Sequence, residues 1–108
     1  MGKFIVSTRT NGEFQFNLQA GNGQTILSSE GYSTKTACQN GIESVKANSQ
    51  DESKFEKLTA SNGKPYFNLR AGNGQVIGTS QMYADESGRD NGIASVAENA
   101  KYAEVVEE

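Results

Sequence analysis

The sequence contains no histidine and no tryptophan, only one cysteine, Cys38, and only one proline, Pro65. Without histidine the chain cannot build a Ser-His-Asp triad or a Cys-His dyad. Zinc sites draw mainly on histidine and cysteine, so one cysteine leaves too few ligands, and it cannot close an internal disulfide. We therefore predict no catalytic residues of these classes, no metal site and no cofactor.

Long apolar runs and an excess of basic residues are also absent. No stretch of eighteen apolar residues exists that would predict a membrane span. The chain has 10 basic and 13 acidic residues and a pI near 5.0. Nucleic-acid affinity depends on Lys and Arg neutralising phosphates, so nucleic acid is disfavoured as a partner. Residues 1–4 lack the features of a signal peptide, and with the single cysteine this favours a cytoplasmic protein.

What the chain does have is a nine-residue motif that occurs twice. Residues 16–24 (FNLQAGNGQ) return 51 positions later as residues 67–75 (FNLRAGNGQ). The two copies differ only where Gln19 is replaced by Arg70. A period of this length predicts a duplicated supersecondary unit.

The repeat extends well beyond this motif. The same offset aligns residues 2–49 with residues 53–100 without a gap. The polar connection between the copies is short, so the two units are expected to pack together rather than to fold apart. We predict one compact domain over residues 1–108, made of repeat one (2–52) and repeat two (53–108).

Each repeat opens with a strand pattern. Asn-Gly pairs predict type I′ hairpin turns. In repeat one, Phe14, Phe16, Leu18 and Ala20 alternate with polar residues, and repeat two keeps this alternation. This alternation of apolar and polar residues with a period of two indicates antiparallel strands that have one solvated face. Pro65 has no amide hydrogen to donate to a sheet, so it should begin its strand or lie on an edge.

The second half of each repeat has the period of a helix. Apolar and small residues recur at the spacing of one helix face, around Gly41 in repeat one and Gly92 in repeat two. These glycines suggest that the helix backbone packs closely on the sheet. Ser33 and Asp85 are predicted as helix N-caps. An apolar tail over residues 102–106 predicts a last strand. The predicted element order is β-β-β-α-β-β-β-α-β, an α+β architecture.

These elements resemble the YegP-like family, small bacterial proteins built on a domain of unknown function. The resemblance covers nearly the whole chain and rests on residues 16–26, 29–32 and 40–45, together with the positions 51 residues later. It implies a β3-α-β motif, two of which form one sheet with exchanged C-terminal strands, and it implies no activity. The predicted fold class is therefore α+β: two tandem β3-α-β repeats forming one antiparallel sheet, with two helices packed on one face.

The polar side of the two alternating strands is the candidate ligand-binding site. Amides, a phenol and a guanidinium can hold a peptide, a sugar or unpaired bases. The alternative is a solvated face with no partner. We expect Asn17 and Asn68 to matter most, because both repeats retain them. The candidate residues are Gln15, Asn17, Gln19, Tyr66, Asn68 and Arg70.

The sequence does not identify an activity. We expect a non-enzymatic interaction or binding module that uses the polar sheet face, with an unknown protein or a small polar ligand as its partner. We expect a monomer. Two alternatives stay open: a structural protein that forms a homodimer through its edge strands, and a small enzyme that uses carboxylates and Arg70. Cys38 is expected to be a partly buried, unreactive thiol.

Overall fold

The computed structural model of the protein describes residues 2–108. It contains two helices and seven strands, and a single 3₁₀ turn (Glu52–Lys54) precedes the fourth strand. The predicted α+β class and element order are confirmed. In chain order the elements are β1 (Lys3–Thr8), β2 (Phe14–Gln19), β3 (Thr25–Ser28), α1 (Lys35–Asn48), β4 (Phe55–Thr59), β5 (Pro65–Arg70), β6 (Val76–Thr79), α2 (Glu86–Tyr102) and β7 (Glu104–Glu107).

All seven strands form one sheet in the order β4-β5-β6-β3-β2-β1-β7. Neighbouring strands are antiparallel except β1 and β7, which run parallel. The prediction of a purely antiparallel sheet is therefore wrong, and the sheet is mixed. The reason is that β7 is reached through α2, and a helical crossover can return the chain in the direction of its new neighbour. Pro65 begins β5, as predicted.

The hairpin turns differ from the predicted type I′. In each of the four turns only the glycine of the Asn-Gly pair has positive φ, 84° to 87°, and no other residue among 2–108 does. In the first turn the Gly12 amide donates to the Arg9 carbonyl at 2.9 Å, and the Glu13 amide donates to the Asn11 side-chain oxygen at 3.0 Å. This is a type I turn followed by a left-handed glycine. The asparagine stabilises the turn through its side-chain oxygen, which accepts a hydrogen bond from a backbone amide two residues later.

Both helices begin at matching positions of the two repeats. The Thr34 hydroxyl accepts a hydrogen bond from the Ala37 amide at 3.0 Å, and the Asp85 carboxylate accepts one from the Gly88 amide at 2.7 Å. The predicted cap Asp85 is thus confirmed. The predicted cap Ser33 is wrong by one residue, since the neighbouring Thr34 supplies the accepting oxygen.

An aromatic stack joins sheet to helix in each repeat. Phe4 and Phe16 meet edge to face with centroids 5.6 Å apart, and Phe16 stacks on Tyr32 at 6.2 Å. A Cβ added to Gly41 of α1 would collide with the Tyr32 hydroxyl, so the tyrosine lies directly against helix backbone. Repeat two has the same distances and the same close approach at Phe55, Phe67, Tyr83 and Gly92.

The two repeats meet where β3 lies beside β6, with Ser28 opposite Thr79. Leu27 and Gly78 occupy equivalent positions of the repeats and face each other across this junction. Leu27 is 1% exposed, and a Cβ built on Gly78 would lie 2.6 Å from a Leu27 methyl carbon. There is room for one leucine here and not for two.

We expect Gly78→Ala to lower the free energy of unfolding by about 1–3 kcal/mol, because the buried Leu27 must shift to admit a methyl group. Gly72→Ala is the matched control, since a Cβ there meets nothing within 4 Å. Its effect should be close to zero or slightly stabilising. Urea unfolding of both variants tests this, and equal stability of the two would contradict the packing described for Leu27.

The Tyr83 hydroxyl is buried and has no hydrogen-bond partner among the described residues. Burial raises the pKa of this phenol, and the nearby Gln81 opposes the rise only in part. The stability gained by keeping this phenol neutral is therefore fully present below pH 10.0, the ordinary pKa of tyrosine. It is lost as the pH rises through the higher pKa of Tyr83 in the folded protein. We expect Tyr83→Phe to be neutral or to stabilise by about 1 kcal/mol at pH 7.

Above pH 10 the same variant should lose less stability than the wild type, because it has no phenol to ionise at this position. Denaturant unfolding at neutral and alkaline pH measures both effects. A variant that is clearly less stable at pH 7 would show that the hydroxyl is hydrogen-bonded in solution.

Candidate functional site: the open face of the sheet

The sheet has one face packed against the helices and one without helices, which we name the open face. It carries the side chains that alternate with the buried Phe16 and Leu18 of β2 and with Phe67 and Leu69 of β5. One row of laterally paired residues crosses this face through all seven strands: Val106, Ile5, Asn17, Ser28, Thr79, Asn68 and Glu56.

The centre of this row coincides with the approximate two-fold axis that relates the repeats. Ser28 and Thr79 are neighbours across the axis, and Asn17 and Asn68 flank them at equal distance. Three strand spacings separate the two asparagines, which is about 14 Å. The four residues form a polar strip across the middle of the open face.

The other predicted residues lie on either side of this strip. Strands β2 and β5 run in opposite directions, so Gln19 and Tyr66 share one side, while Gln15 and Arg70 share the other. All six predicted residues thus belong to one face and all are half-buried. Strands β3 and β6 keep the two sets of three apart, so the six do not form one cluster.

Two of the predicted residues are occupied by contacts within the chain. The Arg70 guanidinium forms an ion pair with Glu56, with nitrogen–oxygen distances of 2.8 and 3.0 Å, and it also donates to the Gly74 carbonyl. The Gln15 amide oxygen accepts from Arg9 at 2.6 Å. Because these groups are already paired, they are poor candidates for first contact with a ligand.

The remaining residues keep free hydrogen-bonding groups. The Asn68 oxygen accepts from the Thr79 hydroxyl at 2.8 Å, which leaves the Asn68 amide nitrogen unused. Within residues 2–108 the side chains of Asn17, Gln19 and Tyr66 make no hydrogen bond. The open face therefore offers three amide groups and a phenol, in a plane that peptide or sugar groups can approach.

Sequence reasoning missed Ser28 and Thr79, although they hold the centre of the strip. Both are exposed, and each is the last residue of a four-residue strand, β3 or β6. The available signal was that both repeats have a hydroxyl side chain at this position. Only the pairing of β3 with β6 brings them together, and nothing in the local pattern predicts which strands meet at the junction.

Two carboxylates have shifted pKa values, and both shifts are downward. The Ser53 hydroxyl and amide hydrogen-bond Asp51 and lower its pKa. Lys57, and to a lesser degree Arg89, lower the pKa of Asp90. Both groups therefore stay ionised at neutral pH, which is the opposite of what a general acid needs. Within residues 2–108 no group of three His, Cys, Asp or Glu side chains could hold a metal ion.

Neither helix in the described part of the chain combines the length and the apolar character that crossing a bilayer requires.

This duplicated sheet with one helix in each repeat defines a class of small α+β domain. The model of the family described as "Domain of unknown function (DUF1508)" matches the chain twice, over residues 10–56 and 60–107. The chain belongs to this family. Each match runs from the first hairpin turn of a repeat through its helix into the strand that follows, β4 or β7.

Individual relatives extend over nearly the whole chain. The UPF0339 protein YegP of Escherichia coli K12 is 55% identical over 98 residues, covering 91% of this chain and 89% of its own. A UPF0339 protein of Acinetobacter baylyi is 52% identical over 104 residues, covering 96% of this chain and 94% of its own. The resemblance to YegP-like proteins is confirmed. These relatives are uncharacterised, so they supply no activity and no site residues.

Two solved structures have the same fold. The solution structure of the E. coli protein YegP, described as of unknown function, has a TM-score of 0.94 and 51% identity, covering 99% of this chain and 92% of its own. The solution structure of a UPF0339 protein from Shewanella oneidensis has a TM-score of 0.93 and 51% identity, covering 98% of this chain and 90% of its own.

Cys38 lies on the buried face of α1 and is 0% exposed, so it is more deeply buried than expected. Burial raises the pKa of its thiol, which lowers the thiolate fraction that reacts. We expect iodoacetamide at pH 7.5 to label the native protein at least about a hundredfold more slowly than the urea-unfolded chain. Rapid labelling of native protein would contradict this packing.

Proposed function

We propose that this chain is a non-enzymatic binding module of the cytoplasm, and that its open face holds a polar partner, either a protein segment or a small ligand. The observation that carries the proposal is the strip Asn17–Ser28–Thr79–Asn68, placed symmetrically about the junction of the repeats. Side chains with unused donors and acceptors flank it. The single buried cysteine is consistent with a reducing compartment.

The size and chemistry of the strip favour an extended partner. About 14 Å between the asparagines equals the length of about four residues of extended peptide, or of a short oligosaccharide. Asn17, Gln19 and the Asn68 amide nitrogen can hydrogen-bond peptide or hydroxyl groups. Nucleic acid remains disfavoured, because Arg70 is paired with Glu56 and the net charge is −3.

The enzyme alternative has less support. It needs Arg70 and a carboxylate with a raised pKa in one cleft. Arg70 is neutralised by Glu56, and the shifted carboxylates Asp51 and Asp90 are held in the ionised form. We also propose that the chain acts as a monomer, since each repeat already has the other as its partner in the sheet.

The test compares partner capture from a bacterial extract by immobilised wild-type protein and by Asn17→Ala/Asn68→Ala. Losing two amide contacts should weaken capture about tenfold, because each net hydrogen bond contributes about 0.5–1.5 kcal/mol. Asn40→Ala/Asn91→Ala is the matched control. These two asparagines are also related by the repeat, are exposed, and lie on the helices, where alanine is well tolerated.

The control pair should capture the partner as the wild type does. Recovered partner is then titrated into ¹⁵N-labelled protein, and the amide shifts should cluster on β2, β3, β5 and β6. Equal capture by both double variants, or shifts confined to the helices, would refute the proposal.

A further inference from the structure

Six Asn-Gly pairs occur in this chain, four in hairpin turns and two in the helices. Asparagine is chemically labile, and a following glycine has no side chain to hinder the approach of its nitrogen to the asparagine side-chain carbon. In the reaction, that nitrogen gives up its proton and bonds to the carbon, and the side-chain amide leaves as ammonia. One water molecule then opens the resulting succinimide to aspartate or isoaspartate. The fold decides which of the six pairs can react.

The two helical pairs are protected by their backbone. Asn40-Gly41 and Asn91-Gly92 lie inside α1 and α2, where each glycine amide donates to a carbonyl one turn earlier. Both glycines are also buried against tyrosine side chains. The succinimide cannot close without breaking the helix, so the four turns contain the reactive pairs.

All four turns have the same internal hydrogen bonds. The asparagine oxygen accepts from the amide two residues later at 3.0 Å, and the glycine amide donates to the carbonyl three residues earlier at 2.9 Å. Both reacting groups are therefore occupied, and a turn must open before the nitrogen can reach the side-chain carbon. The rate at each turn thus depends on what else holds it closed.

The first turn of each repeat has a further restraint. The side-chain amide nitrogen of Asn11 donates to the Glu13 carboxylate at 3.0 Å, and that of Asn62 donates to the Met82 sulfur at 3.6 Å. These contacts fix the side chain whose carbon would be attacked. Sulfur is a weak acceptor, so the restraint on Asn62 is the weaker of the two.

The second turn of each repeat lies in the nine-residue motif, and there the repeats differ. In repeat two, the Arg70 guanidinium donates to the Gly74 carbonyl at 2.6 Å and is anchored to Glu56 on β4, a contact we name the Arg70 clamp. In repeat one the residues equivalent to Arg70 and Glu56 are Gln19 and Ile5. Because the Gln19 side chain makes no hydrogen bond within residues 2–108, the second turn of repeat one has no clamp.

We propose that Asn22 is a deamidation site of the folded protein and reacts before Asn73, its equivalent in repeat two. Both asparagines lie in the same five-residue sequence, Ala-Gly-Asn-Gly-Gln, so their intrinsic reactivity is equal and the Arg70 clamp makes the difference. The Glu56 carboxylate balances the guanidinium charge, so the clamp acts by restraint. The proposal concerns the covalent state of the β2–β3 turn and does not depend on the proposed function.

The products change the turn that follows Gln19, the last residue of β2. Aspartate adds one negative charge there. Isoaspartate also routes the main chain through the former side-chain carbon, so the oxygen that accepts from the Gln24 amide becomes part of the backbone. The turn cannot keep its present hydrogen bonds, and we expect β2 and β3 to pair less stably.

The test incubates the folded protein in mildly alkaline buffer, digests it, and follows each asparagine by tandem mass spectrometry. In the folded wild type Asn22 should react about fivefold faster than Asn73, as for one partly exposed charged contact, and before Asn11 and Asn62. The chain unfolded in guanidinium chloride is the matched control. There Asn22 and Asn73 should react at equal rates.

Two variants test the clamp itself. Arg70→Gln copies repeat one and should raise the rate at Asn73 to that of its counterpart. Gln19→Arg combined with Ile5→Glu copies repeat two and should slow Asn22 about fivefold. The first turns of both repeats are internal controls, because neither change touches them, and thermal unfolding checks that both variants are folded.

Any of three results would overturn the proposal. One is equal rates at Asn22 and Asn73 in the folded wild type. Another is a first reaction at a different asparagine, or no reaction at Asn22 by the time the unfolded chain has reacted. The third is an unchanged rate at Asn73 in folded Arg70→Gln.

Discussion

The contact between β3 and β6 holds the molecule together, because it is where the two half-sheets join. Ser28 lies opposite Thr79 on the open face, and Leu27 fills the other face against the bare backbone of Gly78. Identical residues at both places would collide or leave a void. The two repeats therefore differ at the axis that relates them, and this asymmetry lets the four strands of one half-sheet and the three strands of the other share a single core.

The repeats are more alike in their packing than in their sequence. The aromatic stacks of the two halves agree in distance, and the same glycine beneath the same tyrosine sets how close each helix approaches. The differences gather at the ends of the sheet and on the helix faces beside β1 and β4. Those are the places where one repeat has a covering strand and the other does not.

Much of this could be predicted from the sequence alone, because the information was local or repeated. Alternation in β2 and β5, the helical period after Tyr32 and Tyr83, and the start of β5 at Pro65 follow from side-chain pattern and backbone chemistry. The turn type was wrong, because an asparagine oxygen that accepts a backbone hydrogen bond leaves positive φ to glycine alone. Ser33 missed the cap by one residue, since either hydroxyl suits that position.

What could not be predicted was non-local. No pattern within a strand specifies that β3 meets β6, and that pairing alone assembles the polar strip of Asn17, Ser28, Thr79 and Asn68. The sequence also gave no sign that Arg70 would be neutralised by Glu56 of a neighbouring strand, or that Gln15 would be held by Arg9.

The parallel pairing of β1 with β7 joins the first described strand to the last described strand. During translation β1 is made early, yet its outer edge stays uncovered until residues 104–107 have left the ribosome. Closure of the sheet is therefore a late event that depends on contacts of high sequence separation, which slow folding. The nascent chain exposes a strand edge throughout that interval, and edges of this kind attract aggregation.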